Sequence, residues 1–433
     1  MRGWLTCLAA LALALPAAAQ RAPHAFLGAR IEPVVGAPIE DGVLLVRGGK
    51  IVAVGPRSAV PLPDGTVVVD VAGKVLFPGL VCTHSHIGEP WGADSSDPIQ
   101  PEVRNLDALN VRAADVQRAQ AGGITSVNVM PGSGHLISGQ TTYLKLRDGG
   151  TLDELAYRFD DGAIMGGLKM ANGTNSQDDP PFPGTRAKSA ALVRAEYVKA
   201  QAYRDALARA EQGDGDLPDR DLGLETLVEV LEGRRVVHHH THRHDDIATV
   251  LRLQREFGFR LVLQHVSEAY KLAPEIAAAG VPCSLILIDA PGGKIEAVDM
   301  SWQTGAVLEA AGVPVAYHTD DWVNDSRLFA RSAALAHRAG LSRQGALESL
   351  TLAGARMLDL GDRVGSLEPG KDADFVVFSG DPLSVYSMVE QTWVEGLKVF
   401  DLSDPGDQLY AYGGQGASHG MTQFGHCCLE GTR

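Results

Sequence analysis

The stretch RRVVHHHTHRHDD, residues 234–246, places five histidines in seven positions, at 238, 239, 240, 242 and 244. Three other points carry side chains of the same chemical kind: His84 and His86 in LVCTHSH, His265 in RLVLQH, and Asp320 in VPVAYHTDD. Neutral imidazole nitrogen and carboxylate oxygen are donors that zinc and similar divalent ions take readily. Each of these groups ends a short apolar run of strand length. Alternate residues of a strand share a face, so His84 and His86 point together. By the same parity Val236, His238, His240 and His242 share one face, whereas His239 turns toward the surrounding helices. Any one of these histidines alone would be explained better as a hydrogen-bonded core residue. Agreement among four strand ends is the signal.

Ligands so far apart in sequence meet only if their strands surround one cavity. Between about Phe77 and Asp362, strand-sized apolar runs alternate with helix-sized amphipathic ones. VLFPGLVCTHSH precedes NLDALNVRAADVQRAQAGG and ITSVNVMPG; RRVVHHHTH precedes DDIATVLRLQREFG and RLVLQHVSE; AYKLAPEIAAAG, VPCSLILID, WQTGAVLEAAG and VPVAYHTDD follow. This alternation predicts an α/β fold, a (β/α)8 TIM-like barrel with the site at the C-terminal strand ends. Residues 151–233 fit less regularly, with a Pro/Gly/Asn-rich loop at 171–187 and two acidic helical stretches, and read as barrel elements with a long insertion. The Gly-rich PGSGHLISGQ (131–140) is expected to be a loop at the mouth.

Both flanks have a different texture. GVLLVRGGKIVAVG has a Gly-Gly turn between two apolar segments, and GSLEPGKDADFVVFSGDPL and QTWVEGLKVFDL repeat the style near the other end. The expected organisation is a β-sandwich built from 20–76 and 363–410, a barrel at 77–362, and a Gly-rich tail at 411–433. The opening MRGWLTCLAALALALPAAAQ has an early Arg, an apolar centre and a small-residue end, which predicts a signal peptide at 1–19 and a secreted or periplasmic protein. Cys7 lies too early in it to mark a lipidation site. Beyond residue 20 no apolar run approaches bilayer-spanning length, so no membrane partner is expected. A net charge of -15 with no basic patch argues against nucleic acid. Cys82 and Cys283 sit in apolar runs and read as buried thiols rather than a disulfide; adjacent Cys427 and Cys428 suggest no role. A homo-oligomer is left open.

PGLVCTHSH, the histidine-bearing later strands, VAYHTDD and RVGSLEPGKDADFVVF together resemble the amidohydrolase superfamily, specifically its imidazolonepropionase-like, metal-dependent branch. The resemblance covers essentially the whole chain between the leader and the tail. It is specific for the superfamily and much less so for substrate. It implies that His84 and His86 bind one divalent metal with Asp320, and that His240 and His265 bind a second, so that one or two ions, zinc by preference, are held. It also implies that Lys169 in AIMGGLKMANG bridges the ions as a carboxylated lysine; a salt-bridged lysine is the plainer alternative. His242 is then an alternative ligand or a substrate contact. His318 is a departure, because the family leads one to expect a small residue there; it either narrows the site or packs in the core.

On this resemblance the expected reaction is hydrolysis of a C–N bond, with the metal activating water and Asp320 moving its proton to the leaving nitrogen. Arg243 and Tyr270, just past metal-bearing strands, are placed to hold an oxyanion or a substrate carboxylate; a surface salt-bridged Arg and a packed Tyr are the alternatives. Dipeptides or N-acyl amino acids suit a secreted enzyme better than a cyclic amide of the imidazolonepropionate kind. Two rivals are a serine hydrolase using GASHG (416–420) and a secreted metal-binding protein without turnover. GASHG lacks the strand and helix that a nucleophile elbow needs, and the histidine run lies between an apolar strand and an amphipathic helix rather than in a tail.

Overall fold

The computed structural model describes residues 22–88, 94–287, 295–321 and 323–413. The expected signal peptide with Cys7, the GASHG segment, Cys427, Cys428 and nearly all of the tail lie outside the described residues.

Strands β1 (His24–Ile31), β2 (Ile39–Arg47), β3 (Lys50–Pro56), β4 (Val67–Asp70) and β5 (Val75–Pro78) come from the N-terminal flank. The middle of the chain supplies β6 (Leu80–Ser85), β7 (Ile124–Val129), β8 (Ile137–Gln140), β9 (Thr142–Lys145), β10 (Leu168–Ala171), β11 (Val237–Thr241), β12 (Leu261–His265), β13 (Cys283–Leu285) and β14 (Val315–Tyr317). The C-terminal flank adds β15 (Phe375–Phe378), β16 (Val389–Val394) and β17 (Leu397–Asp401).

The two flanks share one eight-stranded sheet, ordered β17-β16-β15-β5-β1-β2-β3 with β4 against β1. Its hairpins follow the turn residues. Arg47 pairs with Lys50 across Gly48 and Gly49, whose φ values of 59° and 77° are the left-handed conformation a two-residue hairpin requires. The seam between the flanks is β5 against β15, with Phe77 opposite Val376. One face is closed by Phe26, Phe375 and Trp393, the latter two stacked at 5.6 Å and Phe26 edge-on to Phe375 at 4.7 Å.

In the middle region β10 to β14 run parallel in chain order, and β6 and β7 form a second parallel pair. Every residue of these strands is buried, which is what parallel strands covered on both faces require. Helices such as Ala114–Ala121, His244–Phe257 and Thr304–Ala310 make the crossovers. The two sheets approach each other at both ends: the Asp320 amide donates to the His84 carbonyl at 3.1 Å, and Thr141 donates to Gly167 at 3.0 Å. The chain is thus a mixed α/β protein. One element departs from the simple alternation. PGSGHLISGQ is not only a loop, because Ile137–Gln140 forms β8, antiparallel to β10. Gly139, with φ 120°, makes this possible: a Cβ there would come within 2.5 Å of the Val103 carbonyl.

The GKDADF segment joins flank to centre by charge. Lys145 of β9, fully buried, contacts Asp372, and also Asp374 at 3.1 Å and Glu395 at 3.4 Å. Burial alone would lower the lysine pKa, but Asp374, Tyr157, Asp372 and Glu395 together hold it above its ordinary value. Burial works against the Asp372 carboxylate too, yet Lys145 wins and its pKa falls to about 2.

Candidate metal centre

At the C-terminal ends of β6, β11, β12 and β14 the histidines and Asp320 come together. His86 Nε2 lies 3.0 Å and His84 Nε2 3.3 Å from Asp320 Oδ1, and His265 Nδ1 lies 3.8 Å from Asp320 Oδ2. Lys169 Nζ, on fully buried β10, is 3.2 Å from His84 Nε2 and 3.2 Å from the Met130 sulfur. The rings of His240 and His265 are 4.3 Å apart, and His242 lies 4.7 Å from His240. The structure therefore gathers His84, His86, Lys169, His240, His242, His265 and Asp320. His86 and Asp320 keep 18% and 19% of their side-chain exposure while His84 and His265 keep almost none, so the cluster opens toward solvent on the His86–Asp320 side.

Strand parity accounts for most of this. His84 and His86 project together, and Ser85, facing the other way, donates to Asp321 at 2.7 Å. Asp321 also accepts from the hydroxyls of Thr319 at 2.6 Å and Ser326 at 2.5 Å, which pins the turn that carries Asp320. His239 lines a small cavity with Asn172, Arg186, Asp246 and Leu253, on the helix side as its parity predicts. His238 shares parity with His240 but bonds to the Tyr143 hydroxyl at 2.9 Å and to Gln264 at 3.1 Å, so it is a core histidine below the cluster. Asp321 is a site residue that sequence reasoning missed. Its signal was the hydroxyl-rich neighbourhood of Ser85, Thr319 and Ser326, which only the fold assembles.

Electrostatics prepare these groups for a cation. Burial, and then the Lys169 ammonium, push the His84 pKa well below the usual histidine range; burial and His240 do the same for His265. The imidazoles are therefore neutral and keep a lone pair. Burial opposes ionisation of Asp320, but His84 and His265 outweigh it and hold the carboxyl well below the ordinary value. His86 Nδ1 donates to the Met130 carbonyl at 2.8 Å, which turns Nε2 toward Asp320. His84 Nδ1 and His265 Nε2 are buried without a hydrogen-bond partner among the described residues. An orphaned nitrogen is costly unless a ligand satisfies it; His265 Nε2 is open to one, whereas His84 turns Nε2 and not Nδ1 toward Asp320. Neutral imidazoles beside an ionised carboxylate are the donor set that a divalent ion fits. His84, His86 and Asp320 form one group close enough to share an ion, and His84, His265 and His318 form another.

The backbone at two of these positions is left-handed: His265 and Asp320 have φ of 69° and 50°, values uncommon for residues with a Cβ, though Val34, Asp41, Asp359 and Glu395 elsewhere in the chain share them. The outer candidates are less engaged. Arg243 forms a forked pair with Asp245 at 3.0 and 2.9 Å, and the Tyr270 hydroxyl donates to the Asp299 carbonyl at 3.2 Å. Neither has a described contact with the histidine cluster. Cys82 and Cys283 are buried free thiols, as expected.

Comparison with known proteins points the same way. The amidohydrolase family model matches residues 206–400. The solved structure of an amidohydrolase from Thermotoga maritima superposes with a TM-score of 0.80 at 35% identity, covering 87% of this chain and 100% of that one. Amidohydrolase tasK of Hapsidospora irregularis is 30% identical over 86% of this chain, which spans only 42% of that relative's length. The imidazolonepropionase of Deinococcus radiodurans is 29% identical over 79% of this chain and 86% of its own. Hydrolysis and a general dependence on divalent metals characterise this group, in keeping with the donor set assembled at these strand ends. Likeness over 87% of its length to a solved amidohydrolase, together with the imidazolonepropionase relatives, means that the chain belongs to the amidohydrolase superfamily, in its imidazolonepropionase-like branch.

Proposed function

We propose that this chain is a metal-dependent hydrolase of C–N bonds that acts on peptide-like small molecules, dipeptides or N-acyl amino acids, outside the cytoplasm. The observation that carries the reading is the cluster of neutral, partly orphaned imidazoles around an ionised Asp320. His84, His86 and Asp320 would hold one ion, and His240 and His265 a second, with Lys169 carboxylated between them. The unmodified lysine's ammonium sits 3.2 Å from His84 Nε2, where it would repel cations; carboxylation would reverse its charge. Zinc is the expected metal, since the donors are nitrogen and carboxylate oxygen. Bound there, it would supply Lewis acidity toward water and the scissile carbonyl.

The chain's own residues do the rest. The Asp320 carboxylate, at the solvent-facing side of the cluster, takes a proton from the attacking water and returns it to the departing nitrogen. His242, held by Ser267 at 2.8 Å, faces substrate. Arg243 and Tyr270 reach a substrate carboxylate only by exchanging their present partners, Asp245 and Asp299. In this reading the middle strands close into a (β/α)8 barrel, the flanks form a small β-sandwich of residues 20–76 and 363–410, and residues 1–19 direct export.

Elemental analysis of the purified protein tests the metal reading. About two ions per chain are expected, falling to one or none in His84→Ala and Lys169→Ala. One ion, unchanged by Lys169→Ala in a folded protein, would sink the bridging lysine. A second reading, hydrolysis of a cyclic amide, is favoured by the imidazolonepropionase relatives. Parallel assays on dipeptides, N-acyl amino acids and imidazolonepropionate separate the two, and metal binding without turnover on any of them would favour a storage role.

A further inference from the structure

His318 is a buried histidine in contact with the cluster that the proposed reaction leaves without a task. It lies at the end of β14, fully buried, with its ring stacked on His84 at 4.8 Å and 21°. Both of its ring nitrogens are engaged. Nε2 is 3.1 Å from His265 Nδ1, and Nδ1 is 2.7 Å from the Ser284 hydroxyl, which in turn lies 2.5 Å from the Thr83 hydroxyl. Four side chains on four strands thus form one line: His265, His318, Ser284, Thr83.

A neutral His318 can carry its hydrogen on either ring nitrogen, which sets two directions for that line. In one, Thr83 donates to Ser284, Ser284 to His318 Nδ1, and His318 Nε2–H to His265 Nδ1. His265 would then carry its own hydrogen on Nε2, a buried atom with no hydrogen-bond acceptor among the described residues. An unmade buried donor bond costs about 1–3 kcal/mol. In the other direction His265 Nδ1–H donates to His318 Nε2, His318 Nδ1–H donates to Ser284, and Ser284 donates to Thr83. Here the Thr83 hydroxyl hydrogen is the one left over, so the count of unmade donors does not separate the two directions, but His265 Nε2 keeps its lone pair. The second arrangement is the one that makes His265 a ligand.

We infer that His318 is a positioning residue that accepts the Nδ1 hydrogen of His265, fixes the tautomer and ring angle of that ligand, and is itself set by Ser284. It occupies the place that a carboxylate or backbone carbonyl takes behind many metal-binding histidines. With both nitrogens committed, it is a support for the ligand and not a ligand. This inference rests on the metal reading above.

The test is zinc affinity, measured by chelator competition on the full chain, with metal per protein at saturation measured alongside. His318→Phe keeps a flat ring but no acceptor and should bind zinc about 10–100-fold more weakly at unchanged stoichiometry. His318→Gln, whose amide oxygen can accept from His265, should recover most of that loss, and Ser284→Ala should lose a smaller factor. Unchanged affinity in folded His318→Phe, a lost equivalent of zinc at saturation, or a His318→Gln variant as weak as the phenylalanine would each overturn the inference. If His318→Phe does not fold, His318→Gln and Ser284→Ala decide: near-wild-type affinity in the first with a loss in the second supports it, and no loss in Ser284→Ala counts against it. Wild-type protein that binds no zinc would sink the metal reading itself.

Discussion

Lys145 and Asp320 each sit at the centre of a polar cluster in the same α/β framework, and the two clusters are balanced in opposite ways. Around Lys145, three carboxylates converge on one ammonium, with Arg147 and Arg363 adding to the positive side, so charge is compensated in place. Around Asp320, one carboxylate faces several imidazoles and a lysine, and His84 Nδ1 and His265 Nε2 have no hydrogen-bond partner among the described residues. A cluster complete in itself holds elements together. A cluster that lacks something is built to receive it.

Substitutions should separate the two behaviours. Asp320→Asn is expected to cost the most, a fall in turnover of about 10²–10⁴-fold with little change in the melting temperature of the metal-free protein, because the amide cannot take the proton. Asparagine also tolerates the left-handed backbone at this position better than alanine does, which keeps the test clean. A large loss of stability in this variant would mean that Asp320 belongs with the structural kind of cluster. Lys145→Met should do the reverse: about 3–5 kcal/mol of stability lost, read by denaturant titration, because buried carboxylates are left unpaired, while turnover per folded molecule is unchanged. Equal stability in Lys145→Met would break the comparison from that side.

Chelation comes next. Activity should vanish and return with added zinc, and the free ion at about 100 times its Kd should raise stability by about 2.7 kcal/mol over the stripped protein. The acid limb of stability should report the Lys145 cluster. Asp372 has a folded pKa of about 2 against an ordinary 3.8. The sign is that of a depressed carboxyl, so its contribution is fully present above about pH 4 and is lost as pH falls through about 2, an effect of about 2 kcal/mol. Asp374, whose pKa burial raises, works in the opposite sense and reduces the net change. Asp372→Asn should flatten the slope of stability between about pH 4 and 2; an identical slope would place the acid sensitivity elsewhere. The smallest effect belongs to Arg243→Ala, because its Asp245 pair is solvent-exposed: under about 1 kcal/mol in stability. A large rise in KM from the same change would show that the pair opens to meet substrate.

Much of the site was legible before any coordinates. The parity of a strand sets which histidines point together, and the alternation of strands with helices says where their ends meet, so His84, His86, His265 and Asp320 could be read as one group. The histidine run was harder. Parity separated His239 from His240 but could not distinguish His238 from His240, because depth along a strand is decided by neighbouring strands: Tyr143 and Gln264 claim His238 from β9 and β12. Likewise β8 was hidden in a Gly-rich segment, since its pairing depends on Gly139 fitting against Val103, a contact between residues far apart in sequence. His318 looked like an exception to the family pattern and acquires a task only when Ser284 and His265 are seen on either side of it.

The seam between β5 and β15 bears on how the protein is made. Phe77 and Val376, opposite each other in that seam, are separated by nearly the whole middle of the chain. At a synthesis rate of roughly 5–20 residues per second, about 15–60 seconds pass between the emergence of one and of the other. During that interval β5 presents an unpaired edge and Lys145 has none of the carboxylates of its cluster, Asp372, Asp374 and Glu395 all being still to come. The nascent N-terminal sheet is thus an open template for wrong partners until the last strands arrive. Chains cut off before residue 375 should be aggregation-prone even though every metal-binding residue has already been translated.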